Sequence, residues 1–136
     1  MKPVRRPRKS ARPAVVAPSD GDRELIGVIV EAAFSKKGER PEVLDLRGLS
    51  AFTDYFVIVS GRSHPQVEAI VLAIVEALHA RGVRPDHLEG EAPGDWVLVD
   101  LGSIVIHVFL DERRLYYDLE GLWRDAARVP VAAAGA

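Results

Sequence analysis

Residues 53–66 read TDYFVIVSGRSHPQ: an apolar, β-branched run, then Ser60-Gly61-Arg62-Ser63, then the opening of a helix. The run is apolar on both faces of an extended chain, as a buried central strand would be. Ser63 and Gln66 form S-x-x-Q, the reciprocal capping box, and Pro65 falls in the first turn, where its missing N–H costs nothing. A buried strand passing directly into a capped helix predicts a sheet with helices packed on it. Strand, glycine and serines, helix N-terminus is also the order of many phosphate loops, so a nucleotide-binding or nucleotidyltransferase-like enzyme that holds an anion at the Ser60–Ser63 turn is the alternative reading.

Downstream, Val67, Ile70, Val71, Ile74, Val75 and Leu78 give the helix a broad apolar stripe, and Gly82 ends it beside His79 and Arg81. Upstream, Leu25, Ile26, Ile29, Val30, Ala33 and Phe34 recur at helical spacing until Lys36-Lys37-Gly38, and EVLDLRG reads as a strand opened by Pro41. HLEG reads as a short strand, Ala92-Pro93-Gly94-Asp95 as a turn, and WVLVD with SIVIHVF as a hairpin about Leu101-Gly102. With that two-residue loop Asp100 pairs with Ser103, Leu98 with Val105 and Trp96 with His107, on one side of the sheet. The segment 111–129 predicts one or two short helices broken at Gly121, with Tyr117, Leu119, Leu122 and Trp123 spaced to close the core. The expected architecture is a single α/β domain with a mixed sheet of about five strands.

Charge is uneven along the 136 residues. The first 18 hold six of the basic residues, four prolines and no acid, a segment that cannot bury enough apolar surface to order itself. The remainder has 12 of the 18 basic residues against all 20 acidic ones, a net of −8. An acidic body suits a basic protein surface better than a phosphate backbone, while the basic tail suits at most a weak nucleic-acid contact. Residues 1–18 are therefore expected as a disordered tail, 19–128 as the domain and 129–136 as a flexible end. Without a signal peptide or a long apolar run the chain is expected in the cytoplasm, and without cysteine it has no disulfide, thiolate metal site or cysteine nucleophile.

The residues argue against catalysis. Four histidines lack metal-ligand spacing, the turn lacks a P-loop pattern and a G-x-S-x-G elbow, and Asp118-x-Glu120 on a helix points its carboxylates apart. No metal and no cofactor is expected. The turn residues Ser60, Gly61, Ser63 and Gln66 read as a helix cap and a place where loop side chains reach a partner. His107 reads as a half-buried strand histidine, hydrogen-bonded or stacked on Trp96. Trp96, Leu101, Tyr116 and Tyr117 beside Glu89, Asp100 and Glu120 have the composition of a protein interface.

From about Leu25 to Val129 the chain also resembles the ribosomal silencing factor S (Iojap-related) family, through VLDLRGLSAFTDYFVIVSGRSHPQVEA, EGEAPGDWVLVDLGSIVIHVF and RLYYDLEGLW in that order. The family's motif positions fall on Asp54, Tyr55, Glu89, Gly90, Trp96, Asp100, Gly102, Ile106, His107, Leu119, Glu120, Leu122 and Trp123. The resemblance implies a fold distantly like nucleotidyltransferases without their catalytic carboxylates. It further implies a homodimer-forming, non-enzymatic factor that docks on a ribosomal protein at the intersubunit face of the large subunit and blocks the small subunit when nutrients fall. Partner-binding residues expected on this reading are Trp96, Asp100, Leu101, His107, Tyr116, Tyr117 and Glu120. Pro65 stands near where the family often has a basic residue, which removes a charged contact there.

Overall fold

The computed structural model describes residues 20–131, so the basic N-terminal segment and the last five residues lie outside it. Helix α1 (Asp20–Ser35) leads into strand β1 (Glu39–Asp45), β2 (Tyr55–Gly61) and helix α2 (His64–His79). Then come β3 (His87–Glu91), the short helix α3 (Ala92–Asp95), β4 (Trp96–Asp100) and β5 (Ile104–Leu110). Helices α4 (Asp111–Tyr117) and α5 (Leu119–Leu122) precede a last strand, β6 (Ala127–Val129).

The strands form one mixed sheet in the order β3-β4-β5-β2-β1-β6, with β2 and β5 parallel and the other neighbours antiparallel. Every residue of β2 and of β5 is buried, as the unbroken apolar runs require of central strands. The sheet has six strands where about five were expected, because residues 127–129 pair with Val43, Leu44 and Asp45. Val129 thus belongs to the sheet, not to a loose end.

Alternation along the strands creates two cores. On one face Val57, Val59, Ile104, Ile106 and Val108 pack under Ile26, Ile29 and Val30 of α1 and Val67, Ile70, Ile74 and Leu78 of α2. On the other, Leu44, Phe56, Ile58, Val105 and Phe109 meet Leu46, Leu49, Leu119, Trp123 and Ala126. Two long helices cover the first face. Only short C-terminal elements cover the second, and that asymmetry positions the site.

Four local expectations are corrected. The β4–β5 register is displaced by two residues: Asp100 pairs with Val105, Leu98 with His107 and Trp96 with Phe109. Ser103 is unavailable to Asp100 because its carbonyl accepts from Asp54 N and Tyr55 N, both at 3.0 Å, and the Asp100 carboxylate accepts instead from Gly102 N at 2.8 Å. A slip of two keeps every side chain on its expected face. Residues 92–95 form a helical turn, α3, rather than an open turn. The C-terminal break falls at Asp118, in the left-handed region at φ 49°, not at Gly121. Gly121 lies within α5, its N–H bound by Asp118 Oδ1 at 3.1 Å, and an added Cβ there would stand 2.2 Å from Asp118 Oδ2.

The fourth correction concerns the capping box. Ser63 Oγ accepts from Gln66 N at 3.2 Å, but the Gln66 side chain does not reach back to Ser63. Its Oε1 accepts from Arg62 N at 2.6 Å, and its Nε2 donates to Lys36 O and Lys37 O at 3.0 Å each. Gln66 therefore ties the end of α1 to the start of α2.

Candidate docking surface

On the thinly covered face a cleft of about 460 Å³ opens over β2, β5 and β4. Phe56, Trp96, Leu98, His107 and Trp123 make its walls, Phe52 and Thr53 approach from the β1–β2 connection, and Glu89 and Asp100 place carboxylates on it. Phe52 is 77% exposed, a large ring left in solvent at the mouth. Beside the cleft, Trp96 lies 4.9 Å from the Phe109 ring and 4.5 Å from Tyr117, and Tyr117 meets Tyr116 edge-on at 5.1 Å. The aromatic surface thus runs from the cleft onto α4.

His107 anchors this arrangement. Trp96 Nε1 donates to its Nδ1 at 3.1 Å, and its ring stands edge-on to Phe56 at 4.4 Å. Burial pushes its pKa from 6.5 down to about 3, so the imidazole is neutral under physiological conditions. Its place in the cleft is as a fixed wall bonded to Trp96, not as a charged contact.

The other expected partner residues divide. Trp96, Asp100 and His107 come together at the cleft, and Tyr116 and Tyr117 adjoin it. Leu101 does not join them, because it packs on the α1–α2 side of the sheet. Glu120 is held by Arg114, whose Nε and Nη2 donate to its Oε2 at 3.0 and 2.7 Å. Of the four C-terminal apolar residues spaced for the core, Leu119 and Trp123 enter it, while Tyr117 and Leu122 stay about 40% and 39% exposed.

The turn 60–63 is buried at Ser60 and exposed at Arg62 and Ser63. Ser60 is fully buried, its hydroxyl accepting from Arg114 Nη1 at 2.8 Å. A side chain at Gly61 would press on Val67 Cγ2 at 3.1 Å and Val67 N at 3.2 Å. At the helix start Pro65 has no N–H, and those of Arg62, Gln66 and Val67 go to Gln66 Oε1, Ser63 Oγ and Ser63 O. The cap thus uses three of the backbone donors at this turn. Among the described residues no group of three His, Asp or Glu side chains is placed to hold a metal ion.

Arg114 was not legible as important. It is 2% exposed and joins Glu120, Ser60 Oγ and, at 3.4 Å, Glu39 O, locking α4 and α5 to the start of β1 and the end of β2. Its position beside an equally basic Arg113 gives no sequence signal for which of the two turns inward.

The family described as ribosomal silencing factor during starvation matches residues 19–135 of this chain. This chain belongs to the ribosomal silencing factor family. A family member from Halalkalibacterium halodurans, named ribosomal silencing factor RsfS, is 40% identical over 108 residues, spanning 79% of this chain and 92% of that one. A crystal structure from Chromobacterium violaceum superposes with a TM-score of 0.72 at 35% identity, covering 75% of this chain and 85% of the other. More distantly, mouse mitochondrial assembly of ribosomal large subunit protein 1 is 44% identical over 75 residues, 53% of this chain and 33% of the mouse protein. In this silencing-factor fold Tyr55 lies in the core and Asp54 in solvent.

Proposed function

We propose that this chain represses translation by binding and occlusion: its cleft-bearing face docks on a basic ribosomal protein at the intersubunit side of the large subunit and keeps the small subunit away. No bond is made or broken in this reading. Family membership supports the ribosomal target, and the half-covered sheet face carries the choice of surface. Phe52, Trp96 and Tyr117 are partly or largely exposed aromatic anchors, and anchors of this kind each contribute about 2 kcal/mol or more to an interface. Glu89 and Asp100 on the same face attract a cationic partner, speed encounter and fix its orientation.

The same reading places the protein in the cytoplasm. The basic residues 1–18 add a weak, salt-dependent attraction to rRNA, and the exposed Leu115 and Tyr116 on α4 supply apolar surface for a homodimer. No helix among the described residues is long and apolar enough to cross a membrane. The deciding experiment sediments the protein with purified large and small subunits and follows their joining by light scattering. Co-migration with large subunits and slowed joining are expected; free joining at saturating protein overturns the proposal.

A further inference from the structure

Among the described residues three buried side-chain polar atoms have no hydrogen-bond partner in the protein: Thr53 Oγ1, His107 Nε2 and Trp123 Nε1. All three belong to residues lining the cleft. Buried polar atoms are paired in the great majority of cases, so three orphans around one cavity ask for a common partner. Their chemistry is of one kind. His107 Nδ1 already accepts from Trp96, so in the neutral ring the hydrogen-bond network puts the proton on Nε2. Trp123 Nε1 only donates, and the Thr53 hydroxyl can donate as well. The Phe56 ring adjoins both nitrogen heterocycles, edge-on to His107 at 4.4 Å and to Trp123 at 6.1 Å.

The geometry points to a ligand site in this cleft for an uncharged, flat heteroaromatic molecule with carbonyl or ring-nitrogen acceptors, seated among Phe56, Trp96 and Leu98 with its acceptor edge toward Thr53, His107 and Trp123. The cleft's volume of about 460 Å³ falls within the range of roughly 300 to 1,000 Å³ usual for small-molecule sites. Apolar walls with a few placed donors match a ring system that carries acceptors on one side. Glu89 and Asp100 select against anions, so a phosphorylated or carboxylated version of the same ring is disfavoured. The three donor atoms are shielded in this arrangement, so engagement requires the lining above them to shift, a change of the size that side chains at binding sites commonly make. This inference goes beyond docking: it concerns the free protein and stands whether or not the face meets the ribosome.

The test uses the full chain, whose two tryptophans give two indole N–H resonances. Three probes are titrated: quinazolin-4-one, naphthalene as a ring of similar size without acceptors, and a quinazolinone carrying a carboxylate. Quinazolin-4-one is expected to move the Trp123 indole resonance saturably, with a Kd on the order of 1 mM or tighter, and the other two to bind at least about tenfold more weakly. Thr53→Val, nearly isosteric, is expected to weaken quinazolin-4-one several-fold, and Leu98→Trp, which fills the cleft, to abolish its binding. A Trp123 resonance unmoved by all three probes overturns the site. Equal binding of naphthalene and quinazolin-4-one overturns the acceptor assignment, as does unchanged affinity in Thr53→Val with its native spectrum retained.

Discussion

Trp96 donates its indole N–H to Nδ1 of His107 at 3.1 Å, a diagonal contact between β4 and β5 that exists because Trp96 pairs with Phe109 and Leu98 with His107. The bond turns an exposed-rim aromatic into part of a fixed wall. It also explains how an imidazole that is 3% exposed is tolerated: one nitrogen is paired and the ring stays neutral.

The neutrality of His107 sets a pH dependence. In the unfolded chain this imidazole takes up a proton as pH falls through 6.5, whereas in the native state it resists until about 3. The unfolded state therefore holds more protons across that window, so the contribution is fully present above 6.5 and is lost as pH falls. Urea unfolding at several pH values should show stability declining below 6.5 by one proton's slope more than in His107→Met. Identical slopes in both proteins count against a buried neutral His107.

The Arg114–Glu120 pair predicts a large and lopsided mutational effect. Arg114 is 2% exposed and Glu120 21%, so removing the carboxylate strands a buried guanidinium. Glu120→Ala should cost about 3 kcal/mol, the loss expected when one partner of a buried ion pair is deleted. Replacing both, as Arg114→Met with Glu120→Leu, should recover much of that loss. Denaturant midpoints for the two variants, with m unchanged, measure the difference.

Docking should respond differently to rings and to charges. Trp96→Ala is expected to weaken large-subunit binding by about 2 kcal/mol, roughly 30-fold, mainly through faster dissociation. Glu89→Gln with Asp100→Asn should instead slow association and flatten its dependence on salt. Association and dissociation rates on immobilised large subunits, taken at two ionic strengths, separate the effects. Unchanged rates in both variants, with circular dichroism as for the parent chain, would move the interface to another face.

Gly61→Ala tests the tight passage from β2 into α2. The new methyl meets Val67 Cγ2 at 3.1 Å and the backbone N of Val67 at 3.2 Å, and backbone cannot yield as a side-chain tip can. A loss of about 1 to 3 kcal/mol is expected, read as a lower thermal midpoint.

The long apolar periodicities were readable from sequence because they satisfy one simple rule at a time: α1, α2 and the run from Tyr55 follow helical or strand spacing over many residues. The hairpin register was not, because it depends on where the Ser103 carbonyl goes, and its partners Asp54 and Tyr55 are about fifty residues away in the chain. The Gln66 side chain illustrates the same limit, since its acceptors, the carbonyls of Lys36 and Lys37, lie in the turn after α1, about thirty residues earlier in the chain. At the cleft, Trp96, Asp100 and His107 could be placed on one face by parity alone, and a register slip of two left that parity intact. Leu101 reads as exposed at a hairpin tip, whereas its parity with Val97 and Val99 turns it toward the helical core. Arg114 and the donors around Phe56 emerge only when α4, α5 and the sheet are assembled.

The parallel pairing of β2 with β5 carries a consequence for synthesis. Residues 55–61 find their second neighbour only in residues 104–110, so until the latter leave the ribosomal tunnel this wholly buried strand has a single partner, β1. A nascent chain cannot complete its centre piecemeal, and premature termination between Gly61 and Ile104 releases an open apolar edge of the kind that chaperones and proteases recognise. Production of the protein is thereby all-or-none at the level of the sheet's middle.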